Sequence, residues 1–173
     1  MNGGRLTKVS GALLVRRFSV RQPDMYRVVE KVLSARLTPL DKASLCELAQ
    51  TVMDIESDGI DGDFIEINSG SGSAAIVIAE AKRRNRPLVQ NPVFGGELNV
   101  EGPVAFAHIG GGGDISIHNL LERLVPRLVS GGHLILDDYK VREECRNAVD
   151  EYFRGKKGFQ LIRKSRLHVI KNS

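Results

Sequence analysis

The stretch Gly131-Gly132-His133-Leu134-Ile135-Leu136-Asp137-Asp138-Tyr139 decides the fold of this chain. Two glycines turn the backbone, a short run dominated by Leu134, Ile135 and Leu136 follows, and two acids end it. An apolar run of this length between turn residues reads as a strand buried on both faces. Just before it, Ile117, Leu120, Leu121, Leu124, Val125 and Leu128 recur at i, i+3, i+4, i+7, i+8 and i+11, the stripe of an amphipathic helix. After it, Cys145, Ala148, Val149, Tyr152 and Phe153 mark one face of another helix. Helix, buried strand and helix in succession are a unit of a mainly parallel sheet covered on both sides.

The same alternation extends outward. Towards the N-terminus lie strands at Val104 to Ile109, Leu88-Val89 and Phe64 to Ile67, and a helix from Ser73 to Arg84. Lys82, Arg83 and Arg84 fall in the last turn of that helix, where cations suit its dipole. Towards the C-terminus, Phe159 to Ile162 and Leu167 to Ile170 flank Lys164-Ser165 as an antiparallel hairpin. Two amphipathic helices precede the alternation. The first carries Tyr26, Val29, Val32 and Leu33 after the capping-type residue Asp24, and the second carries Leu45, Leu48, Ala49, Val52 and Met53 after Pro39. The expected fold is therefore α/β, a single domain over 1–173 with an N-terminal helical extension (1–60) and an α/β core (61–173).

A chain of 173 residues, 42% hydrophobic and 27% charged, is long enough and apolar enough for one globular core. Aromatic residues make up 5% and tryptophan is absent, which argues against a surface that stacks single-stranded bases. The net charge of +4 is unevenly spread: +5 over residues 1–22, +7 from Arg154 to the end, and −8 between. Basic tails at both ends can meet phosphates or an anionic membrane, but scattered single charges are ordinarily solvated surface, and nucleic acid is not an expected partner. No apolar run reaches the roughly 18 residues of a membrane span, and Ala12 to Val15 is too short for the core of a signal peptide. A cytoplasmic location is the expectation. Cys46 and Cys145 lie far apart in apolar helical patterns and read as buried, reduced thiols.

Ligands of mainly parallel sheets bind outside the carboxyl ends of the strands. After the first strand come Glu66, Asn68, Gly70 and Gly72, small residues ahead of a helix start that favours polar or anionic groups. An acid ending a buried strand should be paired or ligand-bound. After the second strand stand Gln90 and Asn91, neutral amides where a nucleotide-binding fold usually has an acid for the ribose. After the third comes Gly110-Gly111-Gly112-Gly113-Asp114, in which Asp114 either caps the next helix or acts chemically. After the fourth, Asp137-Asp138 is either a surface turn or a pair held by a cation such as Mg²⁺.

Gly62-Asp63-Phe64-Ile65-Glu66 with Gly72, and Pro126-Arg127-Leu128 through Gly131–Tyr139 to Cys145-Arg146-Asn147-Ala148-Val149-Asp150, resemble the macrocin O-methyltransferase family of S-adenosylmethionine-dependent enzymes. The resemblance spans about residues 36–153. It implies the Rossmann-like class I methyltransferase fold, seven strands with a terminal antiparallel hairpin, and Mg²⁺-assisted methylation of sugar hydroxyls. By position it implies that Glu66, Asn68, Gly70 and Gly72 hold the methionine and ribose parts of the cofactor, with Asn91 at the ribose. Asp137 and Asp138 match metal-binding acids, and Asp114 matches the acid that deprotonates the acceptor. The chain departs from the family where its Asp-Gly-Asp loop aligns as Gly112-Gly113-Asp114 or, without a gap, as Gly110-Gly111-Gly112. Only about a dozen residues separate Pro92 from Val104, too few for the usual helix-strand-helix, so one edge strand should be missing.

The leading expectation is a methyltransferase acting with S-adenosylmethionine on a small hydroxylated acceptor. The alternatives are a non-catalytic protein of the same fold with eroded sites and, from Gly70-x-Gly72-x-x-Ala75, an NAD(P)-dependent oxidoreductase. A shortened sheet leaves an edge open to pairing, which makes a homodimer a further expectation.

Overall fold

The computed structural model describes residues 11–36, 38–67, 72–90, 93–94, 97–111 and 116–172. It opens with three helices, α1 (Gly11–Arg21), α2 (Pro23–Ser34) and α3 (Lys42–Ser57). Within the basic N-terminal stretch, residues 11–21 are helical rather than a loose tail: α1 packs on α3 and buries Phe18, leaving its arginines exposed. Pro23 starts α2 because its fixed φ suits the first helical position. Asp24 therefore lies in the first turn, beside the positive end of the dipole, and Gln22 holds the capping position. In α3 the cap is Asp41, whose carboxylate accepts the Ser44 N–H at 2.7 Å.

The alternation then runs β1 (Asp63–Ile67), α4 (Ser73–Ala81), β2 (Leu88–Gln90), β3 (Val93–Phe94), β4 (Glu97–Leu98), β5 (Val104–Ile109), α5 (Ile117–Leu124), β6 (Leu128–Leu136), α6 (Glu143–Phe153), β7 (Phe159–Arg163) and β8 (Leu167–Lys171). Six strands form one sheet in the order β2-β1-β5-β6-β8-β7. The first four are mutually parallel, and β8 runs antiparallel to both β6 and β7. This is the expected Rossmann-like sheet with a terminal hairpin. Among the described residues it has six strands rather than seven, and between Gln90 and Val104 the chain forms only the small antiparallel ladder β3–β4.

Each face of the sheet is covered. Phe64, Ala105, Phe106 and Ile135 pack under the layer of α1 to α4. Ile65, Ile67, Ile109, Leu134, Leu136 and Val169 pack under α5 and α6.

Three boundaries differ from the sequence reading. Helix α4 stops at Ala81, because the basic residues after it are drawn to the loop before β1. Arg84 pairs with Asp61 at 2.8 Å, and Arg86 donates to the Ile60 and Gly62 carbonyls and lies 3.1 Å from Glu56. These pairings outweigh the small gain from placing cations at a helix end. The stripe before β6 is helical only to Leu124. Pro126 directs a single 3-10 turn, and Leu128 already pairs with Val104 in the sheet. Residues between Leu128 and His133 form a bulge, since Val104 pairs with Leu128 while Phe106 pairs with His133. Gly131 adopts φ +75° there, and a Cβ on Gly132 would meet the Val129 carbonyl at 2.8 Å. Finally, α5 is capped by Ser116, which accepts the Asn119 N–H. That takes the role weighed for Asp114.

Both cysteines are buried free thiols, and burial pushes each up to about 11. No helix among the described residues is long and apolar enough to cross a membrane.

Candidate functional site at the carboxyl ends of the parallel strands

Strands β1, β5 and β6 end side by side, with Glu66 opposite His108 and His108 opposite Ile135 in the ladder. Parallel pairing puts Glu66, His108 and Asp137 on the carboxyl side of the sheet, facing the N-terminal helices. Glu66 is 1% exposed, and among the described residues neither of its carboxylate oxygens has a hydrogen-bond partner. Its nearest opposite charge is His108, Nδ1 to Oε1 3.8 Å. A buried carboxylate without donors is costly unless something not yet named supplies them. The chain from Glu66 leads to α4, whose N-cap Gly72 has φ +74° and open space where a side chain would project. The first N–H groups of α4 have no helical acceptors and can take an anionic or polar group.

Of the expected cofactor residues, the structure places Glu66 near the end of β1 and Gly72 at the N-cap of α4. Asn68, Gly70 and Asn91, and Asp114 with them, lie outside the described residues.

Asp137 is differently placed from what a metal ligand requires. Arg166 donates from Nη1 to its Oδ1 at 2.9 Å, and His108 Nε2 is 3.1 Å from both of its oxygens. Arg166 is 3% exposed; its Nη2 donates to the Ser44 carbonyl at 2.6 Å, and its Nε lies 3.9 Å from Glu47. Glu47, itself buried on α3, accepts from the Ser165 hydroxyl and stands 3.3 Å from His168. A chain of charge therefore runs from Glu66 through His108, Asp137, Arg166 and Glu47 to His168. Burial would depress the basicity of His108, but the Asp137 charge and hydrogen bond, with Glu66, outweigh it and raise its pKa. Burial likewise pushes Asp137 up, and is outweighed by His108 and Arg166, which hold its carboxyl below the usual range.

The Mg²⁺ assignment of Asp137 and Asp138 does not fit this arrangement. The Asp137 carboxylate is already neutralised by a guanidinium, and two like unit charges about 4 Å apart near a protein surface repel by roughly 4 kcal/mol. Asp138 faces Arg142 at 3.4 Å and abuts Gly111, where a Cβ would lie 2.5 Å from its Oδ1. That close approach is one physical reason for glycine in the loop after β5. Among the described residues, no three His, Cys, Asp or Glu side chains group closely enough to hold a metal ion.

The sequence reading missed His108, Arg166, Glu47 and His168. His108 had a signal, being the single polar residue in the strand Val104 to Ile109. Glu47 likewise interrupts the apolar pattern of α3. Arg166 had none, and the basic C-terminal stretch that contains it was read as solvated.

At the far side of this cluster, half-buried His133 faces the His168 ring at a centroid distance of 6.4 Å. Burial first, then His168 and Lys164, lowers its pKa to about 4. The unfolded chain therefore binds the proton first, so this contribution is complete above pH 6.5 and is lost as the pH falls towards 4. Between pH 7 and 4.5, wild type should lose about 1–2 kcal/mol more stability than His133→Gln, after discounting for partial exposure. Urea titrations of both proteins at the two pH values measure this; equal losses would refute it.

The Macrocin-O-methyltransferase (TylF) family matches residues 100–163. No curated protein matches the chain in sequence. Solved structures do match in fold. The O-methyltransferase NovP has a TM-score of 0.64 at 18% identity, covering 90% of this chain and 98% of its own. The S-adenosylhomocysteine-bound methyltransferase PaMTH1 of Podospora anserina has 0.57 at 11% identity, with 100% and 99% covered. An O-methyltransferase from Bacillus cereus in complex with S-adenosylhomocysteine has 0.53 at 12%, with 85% and 90% covered. Residues 100–163 are thus similar to the macrocin O-methyltransferase family, and the chain shares the Rossmann-like fold of these methyltransferase structures along most of its length.

Proposed function

We propose that the chain is an S-adenosylmethionine-dependent methyltransferase of a small hydroxylated acceptor. One observation carries the reading: Glu66, buried near the end of β1, the strand that precedes α4, offers two carboxylate oxygens without a hydrogen-bond partner among the described residues. Such a group suits the hydroxyls of a ribose, each of which donates a hydrogen bond. The residues Asn68, Gly70 and Gly72 let the cofactor approach the backbone, and Asn91 adds a neutral contact at the ribose. S-adenosylmethionine, when bound, supplies an electrophilic methyl on sulfur. Asp114 takes the proton from the acceptor hydroxyl, making it a competent nucleophile. The N-terminal helices and the α/β core act as one domain in this reading, with α3 packed against α4, β5 and β6. Both fold neighbours bound to S-adenosylhomocysteine support it, as does the family match over 100–163.

Isothermal titration with S-adenosylhomocysteine tests the proposal. Wild type should bind, and Glu66→Gln should weaken binding by about 10- to 100-fold, the loss of a hydrogen bond to a charged acceptor. Unchanged affinity in a folded Glu66→Gln variant would remove Glu66 from the site. Failure of wild type to bind, with NADH binding instead, would favour the dinucleotide reading of Gly70-x-Gly72-x-x-Ala75.

A further inference from the structure

The cation expected beside Asp137 is already present in the chain. Arg166 reaches from the turn between β7 and β8 and places its guanidinium on the Asp137 carboxylate at 2.9 Å. It is held there from three directions: by Asp137, by the Ser44 carbonyl at 2.6 Å and by Glu47 at 3.9 Å. Its side chain is 4% exposed and that of Asp137 is 11% exposed, so neither can readily turn to water. His108 occupies the other approach to Asp137, its Nε2 3.1 Å from both carboxylate oxygens. A divalent ion at Asp137 would have to displace a buried guanidinium whose other anion, among the described residues, is Glu47, which already faces His168 and Ser165.

We propose that Arg166 is the resident cation of this site, that Asp137 ligates no divalent metal, and that cofactor binding here is indifferent to Mg²⁺. The functional meaning of this rests on the methyltransferase reading above; the placement of Arg166 does not. If the reading holds, activation of the acceptor hydroxyl falls to a protein base rather than to a metal at Asp137.

Electron paramagnetic resonance of Mn²⁺, a probe for Mg²⁺ sites, tests the inference directly. With wild-type protein in excess, the Mn²⁺ signal should keep its full free intensity up to about 1 mM metal. S-adenosylhomocysteine affinity should agree within about twofold in EDTA and in Mg²⁺. Removing the guanidinium in Arg166→Gln, in protein shown to be folded by circular dichroism, should create Mn²⁺ uptake. Stoichiometric uptake by wild type that Asp137→Asn abolishes would overturn the proposal. So would a folded Arg166→Gln that takes up no Mn²⁺. Should Arg166→Gln not fold, the wild-type and Asp137→Asn measurements decide. Absence of S-adenosylhomocysteine binding would defeat the methyltransferase reading instead, and the Mn²⁺ results would still judge Arg166.

Discussion

Arg166→Ala is expected to destabilise the protein by about 3–5 kcal/mol, the usual cost of removing one partner from a buried ion pair. Among the described residues, the guanidinium and His108 are the basic groups paired with Asp137, and the guanidinium also approaches Glu47. Without it, the Asp137 and Glu47 carboxylates lose the guanidinium they share, and the Ser44 carbonyl loses a side-chain donor. A surface pair would cost at most about 1 kcal/mol; burial is what makes the difference. Urea denaturation gives the number. A double-mutant cycle with Asp137→Asn separates the terms, since removing the stranded carboxylate should restore part of the loss. A cost under about 1 kcal/mol would mean that the pair is solvated, contrary to its burial.

Phe64→Ala should cost about 3–5 kcal/mol, in the range for a large buried aromatic. The ring is fully buried in β1 and meets Phe106 edge to face, with centroids 5.6 Å apart. Its other side carries Arg86, whose guanidinium carbon lies 4.7 Å from the ring centre. Truncation removes the apolar area, the aromatic pair and the support for Arg86, which ties α3 through Glu56 to the loop before β1. The aromatic pair alone contributes roughly 0.5–1.5 kcal/mol. Thermal and urea unfolding measure the total, and a cycle with Phe106→Ala isolates the pair. A loss below about 2 kcal/mol would show that the layer under α1 to α4 repacks into the gap.

These two effects fall on opposite sides of what periodicity can reveal. Phe64 was legible as a core residue because a short apolar strand in an alternating α/β chain is buried whatever its partners are. Arg166 was not. It lies in a basic stretch that looks solvated, and its partners Ser44, Glu47 and Asp137 come from residues 122, 119 and 29 positions away in sequence. Glu66 lies between: an acid ending a buried strand is expected to be paired or ligand-bound, and among the described residues neither of its carboxylate oxygens has a hydrogen-bond partner. For Asp137 the same reasoning weighed a surface turn against a metal ion such as Mg²⁺, whereas its partners in the structure are Arg166 and His108. Charge complementarity is equally served by a metal ion or a guanidinium, and local sequence does not distinguish them.

The sequence by itself determined the layer order, because hydrophobic period is a property of neighbours a few residues apart. It determined the parallel strands, the antiparallel end and the short connection before β5, where too few residues remain for another helix and strand. Tertiary structure alone decided where α4 and α5 stop, since Arg84, Arg86 and Leu128 answer to distant partners rather than to helix propensity. It also decided that the acid ending β6 faces an arginine. Burial multiplies the strength of that contact, and burial is set by how the layers close, not by any residue's immediate neighbours.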